Sequence, residues 1–88
     1  MAAGDTLKTR EGCVGGMRLQ TWEITTNGVT GVAVNTGFHR VNAVSATFTQ
    51  DIGAAATTLE CTISGGTVTV TCAIAVSKTA SVVVYGDP

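Results

Sequence analysis

The chain has 88 residues, room for one domain. Five Lys and Arg against six Asp and Glu leave a net charge of −1, and the basic residues Lys8, Arg10, Arg18, Arg40 and Lys78 are scattered apart from the first pair. That distribution excludes a basic face for nucleic acid. Charged residues make up 12% and hydrophobic residues 44%; the first figure is about half the globular norm, so either other protein chains cover much of the surface or this is a Thr-rich β-protein with a neutral polar exterior.

Residues 1–16 are polar and glycine-rich, end in Gly12-Cys13-Val14-Gly15-Gly16, and show no sustained period of 2 or 3.6. They read as an N-terminal arm, leaving 17–88 as a single β-domain; such an arm is ordered only if it packs on its own domain or on a neighbouring chain. The opening MAAGDTLKTREG lacks the apolar stretch of a signal peptide, and no apolar run approaches the length of a membrane span. Neither export by the secretory route nor a membrane partner is expected.

From Arg18 to Val34 the pattern predicts a hairpin turning at Asn27-Gly28. A three-residue loop, Thr26-Asn27-Gly28, pairs Thr25 with Val29 and places Trp22, Ile24, Val32 and Val34 on one face, whereas a two-residue loop divides them. Trp22 is the largest core candidate, and its buried indole N–H needs an acceptor. In the stretch Phe38 to Thr49 the alternation changes phase: Val44, Ala46 and Phe48 belong to one face, His39, Val41 and Ala43 to the other. Either the strand crosses between sheets or a bulge intervenes near Asn42. Residues 50–56, QDIGAAA, read as a loop of small side chains, with or without a short turn of helix.

The clearest element is a hairpin from Thr57 to Val76 with Gly65-Gly66 at its tip. A two-residue loop pairs Ser64 with Thr67, so Ile63 faces Val68, Cys61 faces Val70 and Leu59 faces Cys72, with Ile74 and Val76 extending the apolar side. Thr58, Glu60, Thr62, Ser64, Thr67, Thr69 and Thr71 take the other side. A one-residue slip would bury the threonines, so the pattern itself sets the register. Ile63 falls on the core face, and Ile63→Asp is accordingly expected to unfold the domain. Last comes Ala80 to Tyr85, where Val82, Val83 and Val84 are contiguous, as in a strand buried on both sides or lying at a subunit contact. About six strands and no long helix give an all-β chain, a small antiparallel β-sandwich or partly closed barrel with an extended N-terminal arm.

Candidate sites are sparse. Cys13, Cys61 and Cys72 are odd in number and lack metal-ligand spacing. Cys61 and Cys72 are diagonal neighbours about 7–8 Å apart in an ordinary ladder. That favours buried free thiols over a disulfide, unless a bulge near Cys61 brings them closer. His39 is the only histidine and has no carboxylate near it in sequence; Asp5, Glu11, Glu23, Asp51, Glu60 and Asp87 are dispersed. No general acid, base or nucleophile constellation follows. Gly12 to Gly16 and Gly28-Val29-Thr30-Gly31 lack the spacing and following helix of a phosphate cradle. The TVTVT run occurs once, in a sheet expected to twist, which is too little for an ice-binding array. No catalytic, cofactor-binding or metal-binding residue is expected, and no enzyme.

From Phe38 to Gly86 the order is a strand containing NAVSATF, an alanine-rich loop, a hairpin around SGGTVTV and a final VVVYG strand. In this order the chain resembles the small all-β virion proteins of tailed bacteriophages, particularly head decoration or capsid cement proteins, over a little more than half of its length. The resemblance implies a non-enzymatic, often homotrimeric protein, made in the host cytoplasm, that clamps neighbouring major capsid subunits at the virion surface. A tail or fibre component is the alternative within virions. Outside them the alternative is a carbohydrate-binding adhesin module, which needs an exposed aromatic ring and weakens if Trp22 is buried.

Overall fold

Stretches of β-branched residues alternating with polar ones, broken by paired glycines, specify short antiparallel strands. The computed structural model describes residues 2–49, 59–72 and 77–87. Within them lie seven strands: β1 (Thr6–Val14), β2 (Met17–Thr25), β3 (Val32–Asn35), β4 (Arg40–Phe48), β5 (Leu59–Ser64), β6 (Thr67–Cys72) and β7 (Thr79–Asp87). They form two antiparallel sheets, one in the order β1-β2-β7-β4 and one in the order β3-β6-β5. The smaller sheet packs on the larger with β5 and β6 against β4, giving a β-sandwich.

The core lies between them. Ile24, Val41, Ala80, Val82 and Val84 from the large sheet meet Val32, Val34, Val68 and Val70 from the small one, and Phe38, from the β3–β4 connection, joins the same cluster. All are aliphatic or aromatic, and β-branched residues predominate, so the layer is filled by side chains with few rotamers to lose. The chain exposes 4843 Å², close to the ~4,800 Å² that monomeric proteins of its mass expose. The sandwich therefore reaches ordinary burial without a neighbour.

The β5–β6 register is the one the alternation sets: Ser64 with Thr67, Ile63 with Val68, Cys61 with Val70, Leu59 with Cys72. Thr57, Thr58, Ile74, Val76 and the loop at 50–56 lie outside the described residues. The phase change in β4 is a bulge between Val41 and Ala43. It returns Val41 to the core side with Val44, while the Asn42 amide donates to Asp87 Oδ1 at 3.2 Å and accepts from Arg40 Nε at 3.0 Å. In β7, Val82 and Val84 are fully buried and Val83 is not, so one face of this central strand is covered and the other is open.

Three expectations need correction. Asn27-Gly28 does turn the chain, with Gly28 at φ 57° and the Thr30 N–H donating to Asn27 O at 2.9 Å. It makes no hairpin, however: β2 is already flanked by β1 and β7, so the chain crosses to the other sheet and β3 pairs with β6. The four apolar residues assigned to one hairpin face do meet, from opposite layers. Residues 1–16, read as an arm, contain β1, which pairs along its length with β2 through a Gly15-Gly16 turn. Its missing alternation has a physical cause, because residues 6–13 are exposed on both faces of the strand. Finally, Ile63 occupies the core-facing register position on the edge strand β5 but stays 44% exposed. Burying a charge there is avoided, and Ile63→Asp is no longer expected to unfold the protein.

Candidate interaction surface

The large sheet has one more strand than the small one, and β1 is the strand left over. Its inward positions Thr6, Lys8, Glu11 and Cys13 are all exposed. A bulge at Thr9 keeps Lys8 and Glu11 on this side together, where Lys8 Nζ and Glu11 Oε1 are 3.4 Å apart. On the other side the Thr9 hydroxyl donates to Thr21 O at 3.0 Å and shares a 2.7 Å bond with the Thr21 hydroxyl.

At the foot of this overhang sits one buried amide. Gln20 is only 2% exposed; its Nε2 donates to Glu11 Oε2 and to Thr36 O, both at 2.8 Å, and its Oε1 accepts from Trp22 Nε1 at 2.9 Å. One side chain thereby links β1, β2 and the segment after β3. The hydrogen bond from Gln20, with Lys8 beside it, holds the Glu11 carboxyl below the usual carboxylate range. Trp22 has the acceptor the sequence called for, but its ring is half-buried rather than enclosed, packed against the core at the border of the overhang. The expectation of a fully buried Trp22 is thus corrected; the overhanging β1 leaves that border uncovered by the small sheet.

The outer face of the large sheet is open as well. Cross-strand rows place Leu19 beside Tyr85 and Ala43, Thr21 beside Val83 and Ser45, and Glu23 beside Ser81 and Thr47, with Leu7 opposite Glu23 on β1 and 55% exposed. Leu19, Tyr85 and Ala43 thus lie toward the Gly15-Gly16 end and Leu7 toward the other. The outer face of the small sheet has Thr62, Thr69 and Ala33 in one row, Ser64, Thr67 and Asn35 in the next, and Glu60 beside Thr71 on the other side.

Among the described residues the titratable groups lie apart from one another, save for the ion pairs Lys8–Glu11 and Arg40–Asp87. His39 is exposed and fixed by its backbone, whose N–H donates to Asp87 O at 2.9 Å. Asp87 lies 3.4 Å from Arg40. Among the described residues no three His, Cys, Asp or Glu side chains converge as metal ligands, and no helix is long and apolar enough to cross a membrane. Asp51 lies outside the described residues. Cys13, Cys61 and Cys72 are free thiols, exposed, half-buried and buried in turn, and burial pushes the Cys61 thiol up. No protein-family model, curated protein or solved structure matches the chain.

Sequence reasoning missed β1 and Gln20. Gly15-Gly16 is the same two-glycine signal that located the β5–β6 turn, but without alternation beside it there was nothing to pair. A buried glutamine leaves no pattern at all.

Proposed function

We propose that the protein is a non-enzymatic structural subunit of a tailed-phage virion, a decoration or cement tile that acts as a homo-oligomer on the major capsid protein lattice. The observation that supports this reading best is β1. Nine residues are ordered as a strand, at roughly 1–2 kcal/mol of backbone entropy each, although the side chains of Thr6 to Cys13 are exposed and outside the core cluster. An element that is held in place yet contributes no burial is available to neighbouring subunits. The open outer faces, rich in Thr, Ser, Ala and Val and poor in charge, suit neutral protein contacts. The chain should be present in fixed stoichiometry in purified particles, and particles made without it should assemble yet burst at lower temperature, because bridging contacts stabilise the shell by mass action. Removal of residues 1–14 should leave the sandwich folded and weaken attachment. Absence of the chain from purified particles would overturn the reading.

Half-burial of Trp22 beside Lys8, Gln20 and Glu11 favours a second reading, a carbohydrate-binding module, since an aromatic surface next to polar side chains is sugar-site chemistry. In that case the chain is monomeric, and glycan binding disappears in Trp22→Ala.

A further inference from the structure

We propose that β1 is an exchangeable strand: the Gly15-Gly16 turn opens, and Thr6–Val14 of one chain takes the place on a second copy's β2 that it otherwise occupies on its own. This rests on the homo-oligomer reading above and names the contact through which copies join.

Three observations carry it. First, among the described residues β1 is hydrogen-bonded to β2 alone, and Thr6 to Cys13 are exposed and outside the core cluster, so its departure leaves that cluster in place. Second, the ladder from Thr6 opposite Ile24 to Val14 opposite Met17, with the Thr9–Thr21 and Glu11–Gln20 bonds, can form equally well between two chains. Exchange conserves these contacts, and its equilibrium is set by local concentration, which a lattice raises. Third, the hinge is two glycines at φ 56° and 89°, and a Cβ at either would meet no atom within 4 Å. Closing the turn requires the left-handed conformation at both positions, whereas the opened form, a continuous ribbon paired with its twin, does not. Simple edge-to-edge pairing of two β1 strands is the less suitable route to the same end, since the bulge at Thr9 and the charges of Lys8 and Arg10 blunt the free edge. Exchange instead uses the edge of β2, which already complements β1.

The native thiol makes the test direct. Cys13 and Arg18 are cross-strand partners one pair beyond the turn, a non-hydrogen-bonded position whose close Cα spacing suits a disulfide. In a chain carrying Arg18→Cys, Cys61→Ala and Cys72→Ala, light and heavy isotope-labelled protein are mixed at increasing concentration, equilibrated and oxidised with diamide. The control is the same chain with Arg18 retained. Exchange yields covalent dimers of mixed isotope mass, above the control, in a fraction that grows with concentration. Adding Gly15→Val and Gly16→Val raises the open-to-closed ratio on the order of 30- to 1,000-fold, because each β-branched residue is strained in the left-handed region. Monomeric, internally bonded product at every concentration, with the hinge glycines intact, overturns the proposal. Sedimentation of the unmodified chain with heads is scored separately, so loss of exchange with retained attachment sinks strand exchange alone, and loss of attachment sinks the lattice reading.

Discussion

β5 and β6 are two arms of one hairpin with the same alternation and a residue-for-residue register, yet they are buried to different depths. Val68, Val70 and Cys72 on β6 are 0–2% exposed, whereas opposite them Cys61 and Leu59 are half-buried and Ile63 is 44% exposed. Rank in the sheet is only part of the difference: β6 has a neighbour on both sides and β5 on one, but β3 is an edge strand too and its Val32 and Val34 are 3% and 0% exposed. Alternation tells which face a side chain takes. Depth depends on what lies beside and above the strand, which the local pattern does not contain.

The largest effect should come from placing the same charge on each arm. Val70→Asp buries an unpaired carboxylate in the centre of the core and should cost more than about 4 kcal/mol, enough to unfold a domain of this size. Ile63→Asp should cost about 1 kcal/mol, because the carboxylate reaches water. Denaturant midpoints followed by circular dichroism separate the two, and equal losses would show that β5 is as enclosed as β6.

The contrast between central and edge strands recurs in the large sheet, at glycines. Gly86 on β7 is buried, and a Cβ there would lie 2.5 Å from both Arg40 O and Phe38 Cδ2. Gly86→Ala should therefore destabilise by about 2–3 kcal/mol through overpacking of the Phe38 ring. Gly12 on β1 has open space around it and no positive φ. Gly12→Ala there should stabilise by up to about 1 kcal/mol, since alanine restricts the unfolded chain. Thermal melts of the two variants should move in opposite directions; a shared direction would mean that β1 is not the open strand described above.

What the sequence made legible follows the same line. The β5–β6 register, the phase change near Asn42 and the antiparallel all-β architecture were readable because each leaves a local periodic trace: alternation, a slipped phase, paired glycines. The partner of β3 was not. Val32 and Val34 look alike whether they face Trp22 and Ile24 across a hairpin or across the sandwich, and only the flanking of β2 by β1 and β7 decides. For β1 the alternation was absent because Thr6 to Cys13 are exposed on both faces, so no hydrophobic period was required of TLKTREGC. The candidate interaction surface shares that obscurity. Residues that serve a neighbour need only be open and complementary to it, and the chain alone does not record the partner's pattern.

Thiol reactivity grades the same comparison more finely. Cys13 on the edge strand should react with iodoacetamide first in the native protein. Cys61 on β5 should follow slowly, because burial disfavours its thiolate. Cys72 on β6 should react only on unfolding, and all three should react in denaturant without reductant. Intact mass against time reads the order. Simultaneous labelling of Cys61 and Cys72 would erase the distinction between edge and centre.

The smallest effect concerns how β1 is fastened. Glu11 accepts from the buried Gln20 amide and lies beside Lys8, and the first of these is the larger cause of its lowered pKa. Because the folded value is depressed, the stabilisation is complete above the unfolded value of about 4.3 and disappears as pH falls through the folded one. Solvent near the carboxylate screens the interaction, so the change should be confined to β1 rather than spread through the sandwich. Amide exchange in β1, corrected for intrinsic rates, should lose protection below about pH 4 while β7 keeps its own. In Glu11→Gln the β1 protection should be lower at neutral pH and flat with pH, since the neutral amide cannot titrate. Loss of protection at the same pH in β1 and β7 would instead make the acid response global, and β1 would then be a full member of the cooperative core.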